Sequence, residues 1–176
     1  TLSHRPELWG IWLTVHVWAV SIGAWAMAIV WTHPLTIGLA ILLVGSRQHG
    51  MAILMHDAAH GVLFKTRVLN EFVGKWLLAA PYGGDLVAYR HYHLKHHRYT
   101  QSEDDPDLPL AAKFPVTKAS MRRKFIRDVT GQTFLRLRLA GLRAQSEPGM
   151  EAFQKTSPVP TLITNVILFA ILASLG

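Results

Sequence analysis

The chain consists of long apolar runs on either side of a polar, basic middle section. Residues 8–31 contain no Asp, Glu, Lys or Arg, and a helix of that length can cross a bilayer. Residues 35–55 are also mainly apolar, apart from the short polar stretch Arg47–His49. A third apolar run, residues 161–176, is shorter than the roughly 20 residues that a span needs. This pattern predicts an all-α membrane protein with a transmembrane helical hairpin and the start of a third transmembrane helix.

The section between the second and third runs is predicted to carry further helices. The second span should continue as a helix through residues 51–64, where Ala, Leu and Met dominate and no Pro intervenes. Asp85 is the predicted N-cap of a helix that covers residues 86–100. Residues 117–143 alternate apolar and basic positions at helical spacing, which is typical of a helix lying flat on an anionic membrane surface, although a solvated helix packed on the domain would show the same pattern. We expect residues 1–176 to form a single domain.

Charge is concentrated in the middle of the chain. The formal net charge is +7, and 16 of the 18 Lys and Arg residues fall within residues 61–160. Because Lys and Arg near span ends are retained in the cytoplasm, we expect the region of about 56–160 to be cytoplasmic and the turn at residues 31–34 to lie outside. Topology and anionic lipid suffice to explain the basic excess, and docking of an acidic electron carrier is the alternative explanation. We expect a multi-pass integral membrane protein without a nucleic-acid partner. The short outer turn favours a bacterial inner membrane.

Histidine is the most specific feature of the predicted cytoplasmic region. The chain has ten His and no Cys, which excludes disulfides, thiolate zinc sites and cysteine-bound iron–sulfur clusters. Any metal must therefore be bound by His and carboxylates. His56 and His60 are four residues apart, so on a helix both side chains project from one face. Such a pair suits two ligands to one metal or to neighbouring metals.

A second cluster, His93, His96 and His97, has the spacing HxxHH. On a helix these three side chains fall within about 100° of one another, whereas His91 points about 120° or more away from each of them. A helix therefore selects three ligands and leaves His91 outside. Imidazole ligands without Cys suit iron, copper, zinc or manganese. A lone HxxxH is most often a pair of unrelated surface residues, but a second, matching cluster argues for metal binding.

Other polar residues are candidates for supporting these ligands. Metal-bound imidazoles usually donate their second N–H to a carboxylate or a carbonyl. His49 lies seven residues before His56, within about 20° of the same helix face and about 10 Å deeper in the membrane. It is a candidate for a role near the metal or the substrate, or it belongs to a satisfied polar cluster between helices. By proximity in the sequence, the carboxylates that could accept a bond from a ligand are Asp57, Asp85, Asp104, Asp105 and Asp107.

The two clusters and their surroundings resemble a known family. "HDAAH" at 56–60 and "HLKHH" at 93–97 are similar to the first two histidine boxes of the membrane fatty acid desaturases, and "SRQHGMAILMHDAAHG" and "HHRYTQSEDDPD" agree with their context. The resemblance implies a non-haem diiron centre that uses dioxygen and two electrons from a carrier to remove hydrogens from an unactivated acyl chain. By the same resemblance, the ligands of the two iron ions are His56, His60, His93, His96 and His97.

The resemblance also implies partners and a missing part. It implies an oxidoreductase of the acyl-lipid or acyl-CoA desaturase type, which acts on membrane lipid or another acyl substrate. Residues 1–176 hold no fused cytochrome and no rubredoxin-like cysteines, so electrons would come from an external donor such as ferredoxin or cytochrome b5. Family members carry a third histidine box after another pair of spans, and this sequence has no His after His97. We therefore expect a fragment, cut at both ends, that is inactive by itself.

Three alternatives explain part of the same pattern. Carotenoid or sterol hydroxylases and ketolases, and alkane hydroxylases, also use histidine-rich diiron sites, and two boxes do not separate hydroxylation from desaturation. A haem-binding membrane electron-transfer protein needs one His near mid-depth in each of two spans; His16 and His49 qualify, but both boxes then remain unexplained. A metal transporter needs acidic residues or histidines in the middle of several spans, and only His16 and His49 approach that position.

Overall fold

A computed structural model describes residues 7–108, 115–136, 139 and 157–175, and every regular element in these ranges is helical, which confirms the predicted all-α class. The chain divides into two compact units, Thr1–Arg90 with Ser157–Gly176, and His91–Thr156. The main elements are α1 (Glu7–Val30), α2 (Pro34–Ala59), α3 (Arg67–Phe72), a π-helical segment (Val73–Ala79), a 3₁₀ turn (Ala80–Tyr82), α4 (Leu86–Tyr99), α5 (Lys118–Val129) and α6 (Pro158–Leu175).

Helices α1 and α2 form the predicted hairpin. Both are long and apolar enough to cross a membrane, and they pack against each other. His33 caps α2, because its Nδ1 accepts a hydrogen bond from the backbone N–H of Leu35 at 3.3 Å. Thr36 completes the cap by accepting from the backbone N–H of His33 at 3.2 Å. Pro34 occupies the first turn of α2, where the N–H that Pro lacks would have no helical partner.

Helix α2 ends at Ala59, so the predicted continuation beyond that residue is wrong. Gly61 adopts a left-handed φ of 72°, and its N–H donates to the carbonyl of Ala58 at 3.0 Å. The next N–H, that of Val62, donates to the carbonyl of Asp57 at 3.0 Å. These two bonds form a Schellman motif, which favours Gly at the left-handed position. The motif turns the chain away from the axis of α2 directly after His60.

The core of the first unit surrounds the end of α2. Leu63 and Phe64, which follow the Schellman turn, are buried and lie against Gly10 of α1, where a Cβ would come within 2.5 Å of the Leu63 carbonyl oxygen. The π-helical segment joins this core through Trp18, whose Nε1 donates to the carbonyl of Leu77 at 3.0 Å. The buried apolar cluster comprises Val17, Met51, Leu54, Met55, Ala58, Ala59, Leu63, Phe64, Val73, Leu78, Ala79 and Leu86.

Gly74 lets the π-helical segment approach the end of α2 closely. A Cβ on Gly74 would lie 2.8 Å from the Cβ of Ala58 and 2.9 Å from Cδ2 of Leu86. Since the Ala58 methyl group has no other rotamer, Gly74→Ala should destabilise the protein by about 1–3 kcal/mol through overpacking. Gly45→Ala is the matched control, because nothing lies within 4 Å of its added Cβ. We expect a lower melting temperature for Gly74→Ala only; equal melting temperatures would contradict the close packing.

Helix α6 occupies the third apolar run. It covers Pro158–Leu175, and it is apolar but shorter than α1 and α2. The side-chain amide of Asn165 donates to the carbonyl of Thr161 at 2.9 Å and to that of Ala80 at 3.4 Å. The second bond ties α6 to the 3₁₀ turn of the same unit. The run is thus helical as predicted, and its last residue, Gly176, lies outside the described residues.

Helix α4 begins where the sequence predicts. Asp85 Oδ1 accepts hydrogen bonds from the backbone N–H groups of Val87 at 2.9 Å and Ala88 at 3.0 Å, which confirms the predicted N-cap. The helix ends at Tyr99. Two residues later, Gln101 has a φ of 65°, a left-handed conformation that is uncommon outside glycine. The chain therefore turns sharply into the acidic loop that follows.

Helix α5 is part of the predicted basic amphipathic segment, residues 117–143. It ends shortly before Gly131, which has a left-handed φ of 74°, so the segment is not one continuous helix. The apolar side chains of Met121, Phe125 and Val129 are exposed. Placement of this row on a membrane surface stays a prediction, and the last part of the segment lies outside the described residues.

Candidate metal site

His56 and His60 form a pair at the end of α2. They lie in its last turn and at its C-cap, and their ring centroids are 4.7 Å apart. Both side chains are partly buried. The spacing of four residues places both imidazoles on one helix face, as the sequence predicts. This helix end therefore offers two nitrogen ligands side by side.

Asp57 lies beside the first of these histidines. The distance between His56 Nδ1 and Asp57 Oδ1 is 3.3 Å. With the imidazole proton on Nδ1, the lone pair is on Nε2, the nitrogen that would bind a metal. A carboxylate on the second nitrogen is the usual environment of a metal-bound imidazole. The sequence predicts this supporting role for Asp57, and the distance is compatible with it.

His93 and His97 form the corresponding pair on α4. Their Nε2 atoms are 3.0 Å apart, and their ring centroids are 4.5 Å apart. Two nitrogens that bind one metal at about 2.1 Å each, with about a right angle between the bonds, lie about 3.0 Å from each other. The observed separation therefore matches two ligands of one ion.

His96, the third histidine of this helix, is held by the buried carboxylate of Asp105. The distance from His96 Nδ1 to Asp105 Oδ1 is 2.8 Å. Asp105 also accepts from the backbone N–H groups of Gln101 and Asp107, both at 2.9 Å. Three nitrogen atoms of the loop and the helix are thus fixed around one carboxylate, and Nε2 of His96 remains as the nitrogen that would bind a metal.

The same contact sets the protonation of Asp105. The hydrogen bond from His96 lowers the pKa of Asp105 to about 2, and the bond to Asp105 raises the pKa of His96. Because the pKa of Asp105 is lowered on folding, the contribution of its carboxylate to stability is complete above the unfolded pKa and is lost as the pH falls towards about 2. Asp105 is therefore a carboxylate throughout the neutral range.

Tyr92 adds a contact that sequence reasoning missed. Its hydroxyl donates to the Asp107 carboxylate, and Asp107 Oδ2 lies 3.4 Å from His96 Nδ1. Asp107 was among the candidates by proximity, but nothing in the sequence indicates that Tyr92 would face the loop. The two residues hold the acidic loop on α4 next to His96.

The other predicted supporting residues take different places. Asp104 and His49 are exposed, and no contact within the described ranges ties either one to a predicted ligand, so their roles stay predictions. Asp85 caps α4 instead. His16 contacts Arg47, with 3.2 Å between Nε2 and Nη1. This contact joins α1 to α2 and counts against the use of His16 as a haem ligand, since Nε2 faces a guanidinium.

A cavity of about 430 Å³ lies among the apolar helices of the first unit. It is lined by Trp18 and Trp25 of α1, by Gln48 and Met51 of α2, and by one face of α6. At 100° per residue, Gln48 and Met51 project about 80° and 140° away from His56 around the axis of α2. The cavity therefore does not open on the helix face that carries the histidines.

Sequence reasoning also missed three residues of α3 and α4 that lie around the C-terminal end of α2. Asn70, Glu71 and Arg90 are partly or fully buried. Asn70 and Arg90 donate hydrogen bonds to the carbonyl groups of Ala58 and Ala59, and Glu71 accepts hydrogen bonds from Arg90. An Arg three residues before a histidine cluster is a signal that the sequence contains. The carbonyl groups that Arg90 binds could not be predicted, because α2 was expected to continue to residue 64 and these carbonyls would then have had partners within the helix.

The chain belongs to the fatty acid desaturase family. The family model described as "Fatty acid desaturase" matches residues 29–176, which is most of the chain. The match confirms the resemblance carried by the two histidine boxes. Together with the two long apolar helices, it indicates a membrane protein.

Two curated relatives bear desaturase names. A dihydrorhizobitoxine desaturase of Bradyrhizobium elkanii is 39% identical over 80 residues, which cover 44% of this chain and 22% of the relative. A protein of Caenorhabditis elegans named as a sphingolipid delta(4)-desaturase/C4-monooxygenase is 34% identical over 71 residues, which cover 37% of this chain and 19% of the relative. The matches thus span about a fifth of each relative's length. No solved structure matches the chain significantly.

Proposed function

We propose that this chain is part of an oxygen-dependent membrane acyl desaturase and supplies five ligands of its diiron centre. The observation that carries the proposal is an arrangement that occurs twice. Each histidine box has two imidazoles side by side on a helix and one imidazole with a carboxylate at Nδ1. The proposed ligands are His56, His60, His93, His96 and His97.

The donor set fits non-haem iron. Imidazole and carboxylate groups suit an iron ion that reacts with oxygen, and the chain has no Cys that would favour softer sites. When bound, the iron pair supplies the chemistry that activates dioxygen for removal of hydrogen from an unactivated C–H bond. The residues of this chain hold it in place: Asp57 and Asp105 keep the proton on Nδ1 of their histidines, which directs each Nε2 lone pair towards the metal.

The proposed reaction is the removal of two hydrogens from neighbouring carbons of an acyl chain. One saturated –CH2–CH2– unit, one dioxygen, two electrons and two protons give one –CH=CH– unit and two water molecules. The proposed electron source is a donor outside residues 1–176, such as ferredoxin or cytochrome b5, since these residues contain no Cys that could hold an iron–sulfur centre. Basic residues of the region 61–160, proposed to face the cytoplasm, would favour encounter with an acidic carrier.

A membrane lipid or another acyl group is the proposed substrate. Helices α1 and α2 are apolar enough to lie in the bilayer, and His56 and His60 sit at one end of α2. An acyl chain that leaves the bilayer core would reach this end without crossing water. The names of the two relatives mention different compounds, so the substrate must be identified directly.

The test is expression of the complete gene that encodes this chain, in a host supplied with iron and oxygen. We expect purified protein with non-haem iron and a host lipid fraction that contains acyl chains with two hydrogens fewer, seen by mass spectrometry of fatty acid esters. Omission of oxygen should prevent the change. A protein that binds no iron and leaves the host lipids unchanged would refute the proposal.

Hydroxylation is the second candidate function. The name of the C. elegans relative supports it, because that name includes both a desaturase and a monooxygenase. A hydroxylase transfers one oxygen atom from dioxygen to the substrate, whereas a desaturase releases both as water. Growth under ¹⁸O₂ separates the two. Label in the product would assign hydroxylation, and an unlabelled alkene would assign desaturation.

A further inference from the structure

Two polar side chains, Arg90 and Asn70, bind the C-terminal end of α2. The last carbonyl groups of a helix have no partners within the helix. Arg90 of α4 donates from Nε to the Ala59 carbonyl at 2.9 Å and from Nη2 to the Ala58 carbonyl at 3.2 Å. Asn70 of α3 donates from Nδ2 to the same Ala58 carbonyl at 2.8 Å. Two separate segments thus converge on one helix end.

The orientation of Arg90 is fixed by Glu71. Nη2 of Arg90 lies 2.6 Å from Oε1 of Glu71, and Nη1 lies 3.2 Å from Oε2, which is the paired geometry of an Arg with a carboxylate. Asn70 is fixed as well, because its side chain is 2% exposed and its Oδ1 accepts from the backbone N–H of Phe64 at 3.3 Å. The donors therefore have little freedom to move away from the helix end.

This cluster lies at the first histidine box. Ala58 and Ala59 lie between His56 and His60, so the carbonyls that Arg90 binds belong to the turn that carries the first box. Arg90 itself lies three residues before His93 on α4, about 4.5 Å along the axis of the same unbroken helix. A guanidinium at a helix C-terminus is also favoured by the helix dipole.

We infer that Arg90 is a positioning residue for the metal centre: with Glu71 and Asn70, it fixes the backbone between His56 and His60 and thereby the geometry with which the first box meets its metal ion. The inference rests on the proposed function. A Lys in place of Arg90 would keep the positive charge. However, its single ammonium nitrogen would replace a planar guanidinium whose three nitrogens bind two carbonyls and a carboxylate.

The test compares Arg90→Gln, Arg90→Lys and Glu71→Gln in the protein expressed from the complete gene. Arg67→Gln is the matched control, because Arg67 is an exposed Arg of the same unit, at the start of α3. Cobalt(II) serves as the probe. The affinity of each variant for cobalt(II) reports how well the histidine ligands are held, and the visible ligand-field bands of the bound ion report the arrangement of the nitrogen ligands. Melting temperature and size-exclusion profile show whether each variant is folded.

We expect about tenfold weaker cobalt binding and shifted bands for Arg90→Gln, as for other residues that orient metal ligands indirectly. Arg90→Lys should give the same shifted bands, because the fork is lost although the charge remains. Glu71→Gln keeps the bonds from Arg90 to the carbonyls and should show a smaller change in the same direction. Arg67→Gln should match the wild type.

Wild-type affinity and bands in folded Arg90→Gln would overturn the inference, and so would wild-type behaviour of Arg90→Lys. If Arg90→Gln does not fold, Glu71→Gln decides: unchanged bands in that variant would overturn the inference, and shifted bands would support it. A wild-type protein that binds neither cobalt nor iron would instead refute the proposed function. The two failures are therefore distinguishable.

Discussion

Replacement of His60 or His97 by alanine should abolish desaturation by the complete protein and reduce its bound iron. Each of these histidines is one half of an adjacent pair, with ring centroids 4.7 Å apart for His56 and His60 and 4.5 Å apart for His93 and His97. Loss of one imidazole leaves a site with too few nitrogen donors, and no neighbouring Cys can substitute. Iron per chain and the unsaturated fraction of host lipids measure the effect.

His91→Ala is the matched control for these substitutions. His91 is on the same helix as His97, but the helical arrangement directs it about 120° away. We therefore expect iron content and product to stay close to wild type. Loss of iron in His91→Ala as large as in His97→Ala would contradict the assignment of HxxHH as the second box and would indicate that α4 presents a different face to the metal.

Asp105→Asn should weaken metal binding by about ten- to a hundredfold, the range seen when a carboxylate behind a histidine ligand is removed. The carboxylate accepts three hydrogen bonds, from His96 Nδ1 and from the backbone N–H groups of Gln101 and Asp107. An asparagine has only one acceptor atom, and its amide NH2 would face a donor. His96 would then lose its fixed orientation, and the left-handed turn at Gln101 would lose the hydrogen bond between its backbone N–H and residue 105.

Asp104→Asn removes the same charge from the neighbouring position and serves as the control. Asp104 is exposed, whereas Asp105 is buried, so we expect Asp104→Asn to bind cobalt or iron with wild-type affinity. Equal weakening by both substitutions would show that the overall negative charge of the loop matters, and not the contact between Asp105 and His96. Titration of each purified variant with cobalt, followed by absorbance, gives the comparison.

Much of the site was predictable because it depends on short-range spacing. Histidines four residues apart lie on the same face of any helix. The Asp85 cap predicts the helix that contains His93 and His97. Asp57 and Asp105 were candidates by the same logic of proximity. Arg90 was not, because its partners Ala58 and Ala59 lie more than thirty residues away in the chain, and no local pattern links them.

The end of α2 shows why helix boundaries are harder to predict than helices. Residues 51–64 have good helix formers and one Gly, and propensity alone favours continuation. The structure stops the helix at Ala59, because Gly61 forms the Schellman bonds and Leu63 and Phe64 gain burial against Gly10. Gly61 is thus a local signal for the helix end, whereas the burial of Leu63 and Phe64 against α1 is a tertiary contribution that the local sequence does not contain.

The sequence by itself determined the helical hairpin, the two histidine boxes and the family, since each depends on residue type at fixed spacing along one chain. Tertiary structure decided which carboxylate holds which imidazole: buried Asp105 and not exposed Asp104 binds His96. It also decided that Arg90 and Asn70 bind the end of α2. Such choices depend on which atoms become buried together, and burial is a property of the folded chain rather than of any segment.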